Sequence, residues 1–456
     1  TTMSNSAGPS PGASRFARWA ILLLTCGGLF GQFFAFDIPS ALNEQMKQLL
    51  MKPTGITEQE FAYYFSLLYS VYSIPNVILP LVLGIAVDRC GCRALIVLLG
   101  LSVVLGHLLF TLGVSASSWP IMLAGRALFG LGGESLQVAQ NCLLFRWFRG
   151  HEVAFALGLN LSVARAGSVL NDVASPWAAQ RWGVMGAMWL GALLCCGSFA
   201  CNALSVVLDK FEGQKAAMPE SVNDETVSLS DIFRMPKLYW LLASLCVIIY
   251  CGILPFNNIA SAFFVETRFS SMRLSDAQQQ AGAAMSLLFL SSAIGTPPFG
   301  LIVDHVGMRR HFLFFSAGLL ATTYATISAV SPACSMLMLG FVYMIFAGAL
   351  WPSFALTVPQ RQLGSAYGVA TALQNAGLAA TPLLVGHLQA TQGPGHFEMV
   401  IRLFLLFGVA GVIIASSMFA PNVQGTQLLD LPSLEAERRA KATERTPLQV
   451  SGGGGG

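Results

Sequence analysis

Residues 84–93 read GIAVDRCGCR, and residues 300–309 read GLIVDHVGMR. Gly, Asp, Gly and Arg hold the same relative positions in both: Gly84, Asp88, Gly91 and Arg93, then Gly300, Asp304, Gly307 and Arg309. Each copy sits between two long apolar runs, where the pattern suits a tight polar turn. The glycines permit a sharp bend and close helix approach. The acid can cap or pair with a neighbouring helix end, and the arginine can anchor among headgroups or reach another helix. One copy would be weak evidence, but two at identical spacing read as an internal repeat.

The apolar runs around these turns account for most of the chain. Of 456 residues, 54% are hydrophobic and only 10% charged, where a soluble domain carries about a quarter charged. Mean hydropathy is +0.64. A chain this apolar needs the lipid bilayer as its solvent. Hydropathy windows of about 19 residues predict spans near 16–37, 61–87, 94–114, 119–145, 152–175 and 185–208, then 238–265, 279–303, 311–330, 333–358, 365–390 and 398–420. The fold class is therefore all-α integral membrane: twelve transmembrane helices in two pseudo-symmetric six-helix bundles.

The organisation follows from the polar stretches. Residues 1–15 form an N-terminal tail, 16–208 the first bundle, 209–237 a charged linker, 238–420 the second bundle and 421–456 a C-terminal tail. Thr1-Thr2 ahead of Met3 and the glycine run 452–456 are set outside the folded unit. The first apolar segment is long enough to span and reads as a helix. Lys and Arg concentrate in the tails, the linker and alternate loops, among them Arg89, Arg93, Arg146, Lys210, Arg309 and Arg310. The opposite loops hold few, such as Lys47, Lys52 and Arg402. The positive-inside rule places both termini in the cytosol.

A second echo aligns FALGLNLSVARAG (155–167) with GSAYGVATALQNAG (364–377), pairing Gly167 with Gly377 and Arg165 with Asn375. Two related halves with a site between them form the architecture of an alternating-access carrier. The paired loop signatures resemble those of the major facilitator superfamily, over about residues 16–420. That resemblance implies the twelve-helix fold. It also implies a conformational-switch role for Gly84, Asp88, Arg89, Gly91 and Arg93 and for Gly300, Asp304, Gly307 and Arg309. His305 stands where the first copy has Arg89, which predicts a latch stronger in the first half.

Polar residues inside the spans point to the site. Glu134, Gln137 and Asn141 share one helical face of the fourth span, and Gly158, Ser162, Arg165, Ser168 and Asp172 one face of the fifth. An ionised side chain at mid-bilayer costs roughly 2.5–3.5 kcal/mol on insertion scales, so Glu134 and Arg165 are expected to face the interior. Two readings fit them. They form a buried ion pair that holds the first half together, or they bind a zwitterionic solute, with Arg165 on a carboxylate and Glu134 on an ammonium. The second half carries Asn375 at the position of Arg165 and Ala349 near that of Glu134, so the charges are not part of the shared scaffold.

Further candidates line the same path. Asp37 ends the first span, and Asn257 and Asn258 occupy its repeat position. Tyr69, Tyr72 and Asn76 share a face of the second span, Trp351-Pro352 kinks the tenth, and Gln374 and Asn375 are the polar residues of the eleventh. His107 reads as a satisfied core histidine rather than a proton relay.

The stretches GRALFGLGGESLQVAQN, WFRGHEVAFALGLNLSVARAGSVLN and ALWPSFALTVPQRQLGSAYGVATALQNAGLA are similar to the lysosomal dipeptide-transporter branch of that superfamily. This resemblance implies a uniporter moving dipeptides out of the lysosome, with Glu134 and Arg165 engaging the peptide termini. It also implies an accessory glycosylated lysosomal membrane protein as partner. The sole glycosylation sequon, Asn160-Leu161-Ser162, lies inside a span and is expected to be unmodified. Leu428-Leu429 lacks an acid four positions earlier, unlike an acidic sorting signal.

Other classes are disfavoured. The net charge of +3 is small and scattered, so nucleic acid is not a partner. The ten cysteines form neither a disulfide framework nor a zinc site. No nucleophile–base constellation, phosphate loop or metal-ligand spacing is read in the sequence, so an enzyme is not expected and no cofactor is called for. A proton-coupled symporter of small organic anions stays open beside the dipeptide carrier, as does a non-transporting solute sensor.

Overall fold

The computed structural model describes residues 15–148, 151–212, 235–359, 362–392, 397–420, 423, 425–433, 435–436 and 439. The side chains of 80–90, with Gly84, Asp88 and Arg89 among them, lie outside the described ones, as does nearly all of the linker. Helices follow the predicted spans: α1 (Arg15–Ala41), the short α2 (Asn43–Thr54), α3 (Glu58–Ser115), α4 (Trp119–Trp147) and α5 (His151–Glu212). Then come α6 (Lys237–Thr267), α7 (Leu274–Val306), α8 (Arg309–Thr326), α9 (Pro332–Ala355), α10 (Leu363–Gln392) and α11 (Glu398–Ser417). A 3₁₀ turn at Thr426–Asp430 follows.

Two of these helices each carry two spans. α3 breaks at Gly91 (φ 75°, ψ 148°) and α5 at Gly183 (φ 71°, ψ 173°). With the 12-residue α2 too short to span, counting α3 and α5 twice gives six spans before the linker and six after it, as the sequence predicts. Gly307, the repeat partner of Gly91, also adopts positive φ (73°). The shared glycine of the two turns is thus explained, because a side chain at such a φ is strained.

Each half builds its own core. One apolar cluster runs from Ile21 to Cys195, around Phe34, Phe65, Phe129 and Leu143. The other runs from Met235 to Leu429, around Phe256, Tyr324, Phe346 and Phe404. α1 packs on α5 and α3 on α4 in the first bundle, and α7 on α9 and α8 on α11 in the second. The bundles meet where α3 lies along α10 and α5 along α7. Glu134 of α4 and Ser162 and Arg165 of α5 reach the second bundle, and the site forms there.

One boundary differs from the sequence reading. α5 continues through Asp209 to Glu212, past the expected start of the linker. Asp209 is held there by three donors: Arg93 Nε at 2.5 Å, Arg146 Nη1 at 3.3 Å and Trp147 Nε1 at 2.7 Å. Arg93 of the first loop signature therefore ties the end of one span to another.

Candidate functional site

Glu134 owes its position to the glycines before it. At Gly133 α4 leaves helical geometry (φ −41°, ψ −113°), and the side chains of its neighbours fill the space. A Cβ there would lie 2.6 Å from the Tyr72 hydroxyl and 3.1 Å from Asn76 Nδ2. Gln32 Nε2 of α1 donates to the Gly133 carbonyl at 2.9 Å. The half-buried Glu134 side chain then meets α10, where Asn375 Nδ2 donates to its Oε2 at 2.9 Å.

Arg165 is only 5% exposed and is likewise held by the second bundle. Its Nη1 donates to Ser292 Oγ at 2.6 Å and Thr296 Oγ1 at 3.1 Å, both on α7. Its guanidinium lies 4.5 Å from the centre of the Tyr343 ring on α9, a cation–π contact. Nearby, Ser162 donates to the Ala293 carbonyl at 3.2 Å. Arg165 Nε has no hydrogen-bond partner among the described residues.

No ion pair joins Glu134 to Arg165 among the described residues. The buried-pair reading is therefore not what this conformer contains. Each charge of the first bundle is instead held by neutral polar groups of the second.

The other predicted residues divide into groups. Asn375 and Tyr72 join the Glu134 neighbourhood, while Gln374 accepts a weak bond from Cys246 Sγ at 3.7 Å. Trp351 donates through Nε1 to the Tyr250 hydroxyl at 2.9 Å, and its carbonyl accepts from Tyr367 at 2.9 Å. With Tyr343 these rings make an aromatic wall beside Arg165. Gln137 and Asn141 are half-buried farther along α4.

Tyr69 lies beside the buried Arg126, whose guanidinium is 5.2 Å from the Tyr69 ring centre, while Asp37 is bonded to Ser168 of α5 and feels the Arg126 charge. Arg126 also donates to the Phe36 carbonyl at 2.9 Å and fixes this corner of the first bundle. Asn257 is buried on α6 with no bond to Glu134 or Arg165 among the described residues. His107 is a core residue against the Met188 carbonyl at 3.1 Å. Asn160 of the sequon is buried and donates to Gln140 Oε1 at 3.2 Å.

The sequence reading missed Gln32, Ser292 and Thr296. It also missed how the second loop signature is held. Arg309 donates to the Leu431 carbonyl at 2.9 Å and to Ser433 Oγ at 2.6 Å, and Ser433 Oγ donates to Asp304 at 2.5 Å. The second loop signature is thus held by the C-terminal tail.

The bundles also join on the face opposite the one where tail residue Asp430 meets Arg310. Lys47 of α2 lies 3.5 Å from Glu266 of α6, 3.2 Å from Glu58 and 3.8 Å from Glu44. Gln279 Nε2 donates to Gln180 Oε1 at 2.6 Å on the same side. Glu44 is 8% exposed; burial raises its pKa to about 7, and the Glu266 and Glu58 charges add to the shift against Lys47.

A two-bundle helical protein with a polar, charged interface matches known carriers in fold. It overlays on the D-xylose–proton symporter with a TM-score of 0.68 at 15% identity, over 90% of this chain and 98% of that one. A point mutant of the nucleoside transporter NupG gives 0.66 at 13% identity, over 87% and 100%. In sequence, the lysosomal dipeptide transporter MFSD1 of Mus musculus is 34% identical over 397 residues, 83% of this chain and 82% of its own length. The Homo sapiens protein of that name is 33% identical over 395 residues, 83% and 82%, and that of Danio rerio 32% over 410 residues, 87% and 86%. The sequence model of the Major Facilitator Superfamily matches residues 20–277 and 271–447. By its repeated loops, its two six-span bundles and these matches, this chain belongs to the major facilitator superfamily and is a membrane transporter rather than an enzyme.

Proposed function

We propose that this transporter is a dipeptide uniporter that exports dipeptides from the lysosome lumen to the cytosol, with both termini cytosolic. Arg165 takes the peptide carboxylate and Glu134 its amino terminus. The observation that carries this reading is that two opposite charges at the bundle interface each face neutral partners instead of each other. Ser292 and Thr296 offer Arg165 hydroxyl oxygens, and Asn375 offers Glu134 an amide. A zwitterion supplies charged partners to both and so gains more than these neutral groups lose. Because the neutral groups come from the other bundle, exchanging them for a solute changes how the bundles are tied, which gives the solute different affinities for different conformers.

The names of the relatives support the substrate and the compartment. An accessory glycosylated lysosomal membrane protein is the proposed partner, because the chain's own sequon is buried and leaves it without a sugar shield there. One observation favours a second reading, a proton-coupled symporter of small organic anions. Among the described residues, the bond that Glu134 accepts comes from a neutral amide, so this carboxyl can hold a proton while Arg165 holds the anion.

Proteoliposome transport separates the two. Uptake of a labelled dipeptide that needs no proton gradient and carries no protons supports uniport. Uptake that stops without a gradient, or that serves monocarboxylates but not dipeptides, supports the symporter.

A further inference from the structure

α7 changes character where two prolines interrupt it. Pro297 and Pro298 lie inside the helix. Neither has an N–H, so the carbonyls of Ala293 and Ile294 lose their usual helical donors. The first bundle takes one of them: Ser162 Oγ donates to the Ala293 carbonyl at 3.2 Å. Arg165 holds the same stretch through Ser292 and Thr296. α7 is thus tied to the first bundle just where its backbone bonds run out. Past the prolines its last turns have little packing of their own, and of residues 301–306 only Val303 is buried.

The chain's own tail holds this end. Met308 N donates to the Asp430 carbonyl at 3.2 Å. Arg309, 1% exposed, donates to the Leu431 carbonyl and to Ser433 Oγ, and Ser433 Oγ donates to Asp304 in the last turn of α7. A Cβ at Gly307 would lie 2.6 Å from the Leu431 carbonyl oxygen, so the two backbones touch. Arg310 forks onto the Asp430 carboxylate, with Nε at 2.9 Å, and reaches the Met418 carbonyl beyond α11 at 3.3 Å. Leu429 is fully buried in the core of the second bundle and anchors the segment. Arg93 of the first loop signature is held instead by Asp209 of its own bundle.

We infer that residues 429–433 are an autoinhibitory strap, which clamps α7 beyond its proline break and slows the passage between conformers. The contacts of Ser162 and Arg165 cross between the bundles, so a change of conformer remakes them. The missing backbone bonds let α7 bend at the prolines as that happens. The strap opposes the bend, and its release lowers the barrier without touching Glu134 or Arg165. None of this depends on which solute is carried.

The test reads conformer exchange without any solute. Gln278 of α7 is fully buried, one helical turn from Gly282, which packs on the Asp172 carbonyl of α5. A cysteine there meets an excess of fast thiol reagent only when the bundles part. In the purified full chain carrying Gln278→Cys, adding Ser433→Ala and Asp430→Asn should raise its labelling rate, read by mass spectrometry, about tenfold, the scale of one hydrogen bond to a charged group. Unchanged or slower labelling overturns the strap. In proteoliposomes, Asp304→Cys joined to Ser433→Cys by a reducible crosslinker should take up alanyl-alanine more slowly than the uncrosslinked pair and recover on reduction. Should Cys246, buried in α6, gain reactivity along with Gln278→Cys, the tail variant is unfolding and the crosslinked pair decides: uptake that ignores the crosslink overturns the strap. If wild type does not carry alanyl-alanine, the dipeptide reading falls, and the labelling rate still decides the strap.

Discussion

Asn375 Nδ2 donates to Glu134 Oε2 across 2.9 Å, and Asn375 occupies in the second half the repeat position that Arg165 occupies in the first. The two halves have thus diverged at one position into complementary tools. One copy supplies a cation for the interface, and the other supplies the amide that steadies the interface's anion.

Asn375→Leu leaves the half-buried Glu134 carboxylate without this donor and should destabilise the protein by roughly 1–3 kcal/mol. Asn375→Asp sets two carboxylates together and should cost more. Adding Glu134→Gln to Asn375→Asp restores a donor–acceptor pair with the roles exchanged. The melting temperature of the double variant should then rise above that of Asn375→Asp alone; no recovery would mean the two side chains are not coupled.

Gly133→Ala tests the kink that aims Glu134. The new methyl would meet the Tyr72 hydroxyl at 2.6 Å, in a buried corner that overpacking destabilises by about 1–3 kcal/mol. Tyr72→Phe removes that oxygen and should recover part of the loss. A denaturation series of the two single variants and the double variant reads the coupling.

Asp209 is the meeting point of Arg93, Arg146 and Trp147 and is 1% exposed. Asp209→Asn keeps the shape but strips the charge from a site facing two partly exposed arginines. Stability should fall by about 1–3 kcal/mol. Transport should change more than solute affinity, because the residue bonds Arg93 of the first loop signature and not Glu134 or Arg165.

Glu44 gives the far-face cluster a pH dependence with a definite sign. Its folded pKa is raised to about 7 from an ordinary 4.5, first by burial. The folded state then binds more protons than the unfolded state between those values, so stability grows as pH falls from about 7 to 4.5 and is lost as pH rises again. The contribution is on the order of 1–3 kcal/mol. Melting temperatures across this window should rise on acidification, and Glu44→Gln should flatten that part of the profile. A steeper profile in the variant would contradict the assignment.

The fold was legible because membrane physics leaves few choices. Long apolar runs must be helices, and the repeated G-x-x-x-D-x-x-G-x-R turn located the duplication; its Gly91 and Gly307 do take positive φ. Glu134 and Arg165 were legible as interior residues because mid-bilayer charges are costly. Their partners were not. Ser292 and Thr296 are hydroxyls in an apolar span, and such hydroxyls usually bond the preceding turn, as Thr296 also does to the Ser292 carbonyl at 2.6 Å. Gln32 is one amide on a glycine-rich span with no periodic companion. Ser433 and Leu431 sit in a tail without apolar periodicity, so their hold on Arg309 depends on tertiary placement. Asp37 and Tyr69 had the right chemistry, but Asp37 bonds Ser168 and Tyr69 lies against Arg126.

The central claim, that Glu134 and Arg165 together recognise the two ends of one zwitterion, is tested most directly by ligand-induced thermal stabilisation. The full chain is titrated with a free dipeptide, its N-acetyl form and its C-terminal amide, in wild type, Glu134→Gln and Arg165→Ala. A ligand at 100 times its dissociation constant adds about 2.7 kcal/mol, which a melting curve resolves. The expected result is stabilisation of wild type by the free dipeptide alone, with N-acetylation losing nothing further in Glu134→Gln and amidation nothing further in Arg165→Ala. Equal stabilisation by the blocked peptides, or full binding in either variant, would contradict it.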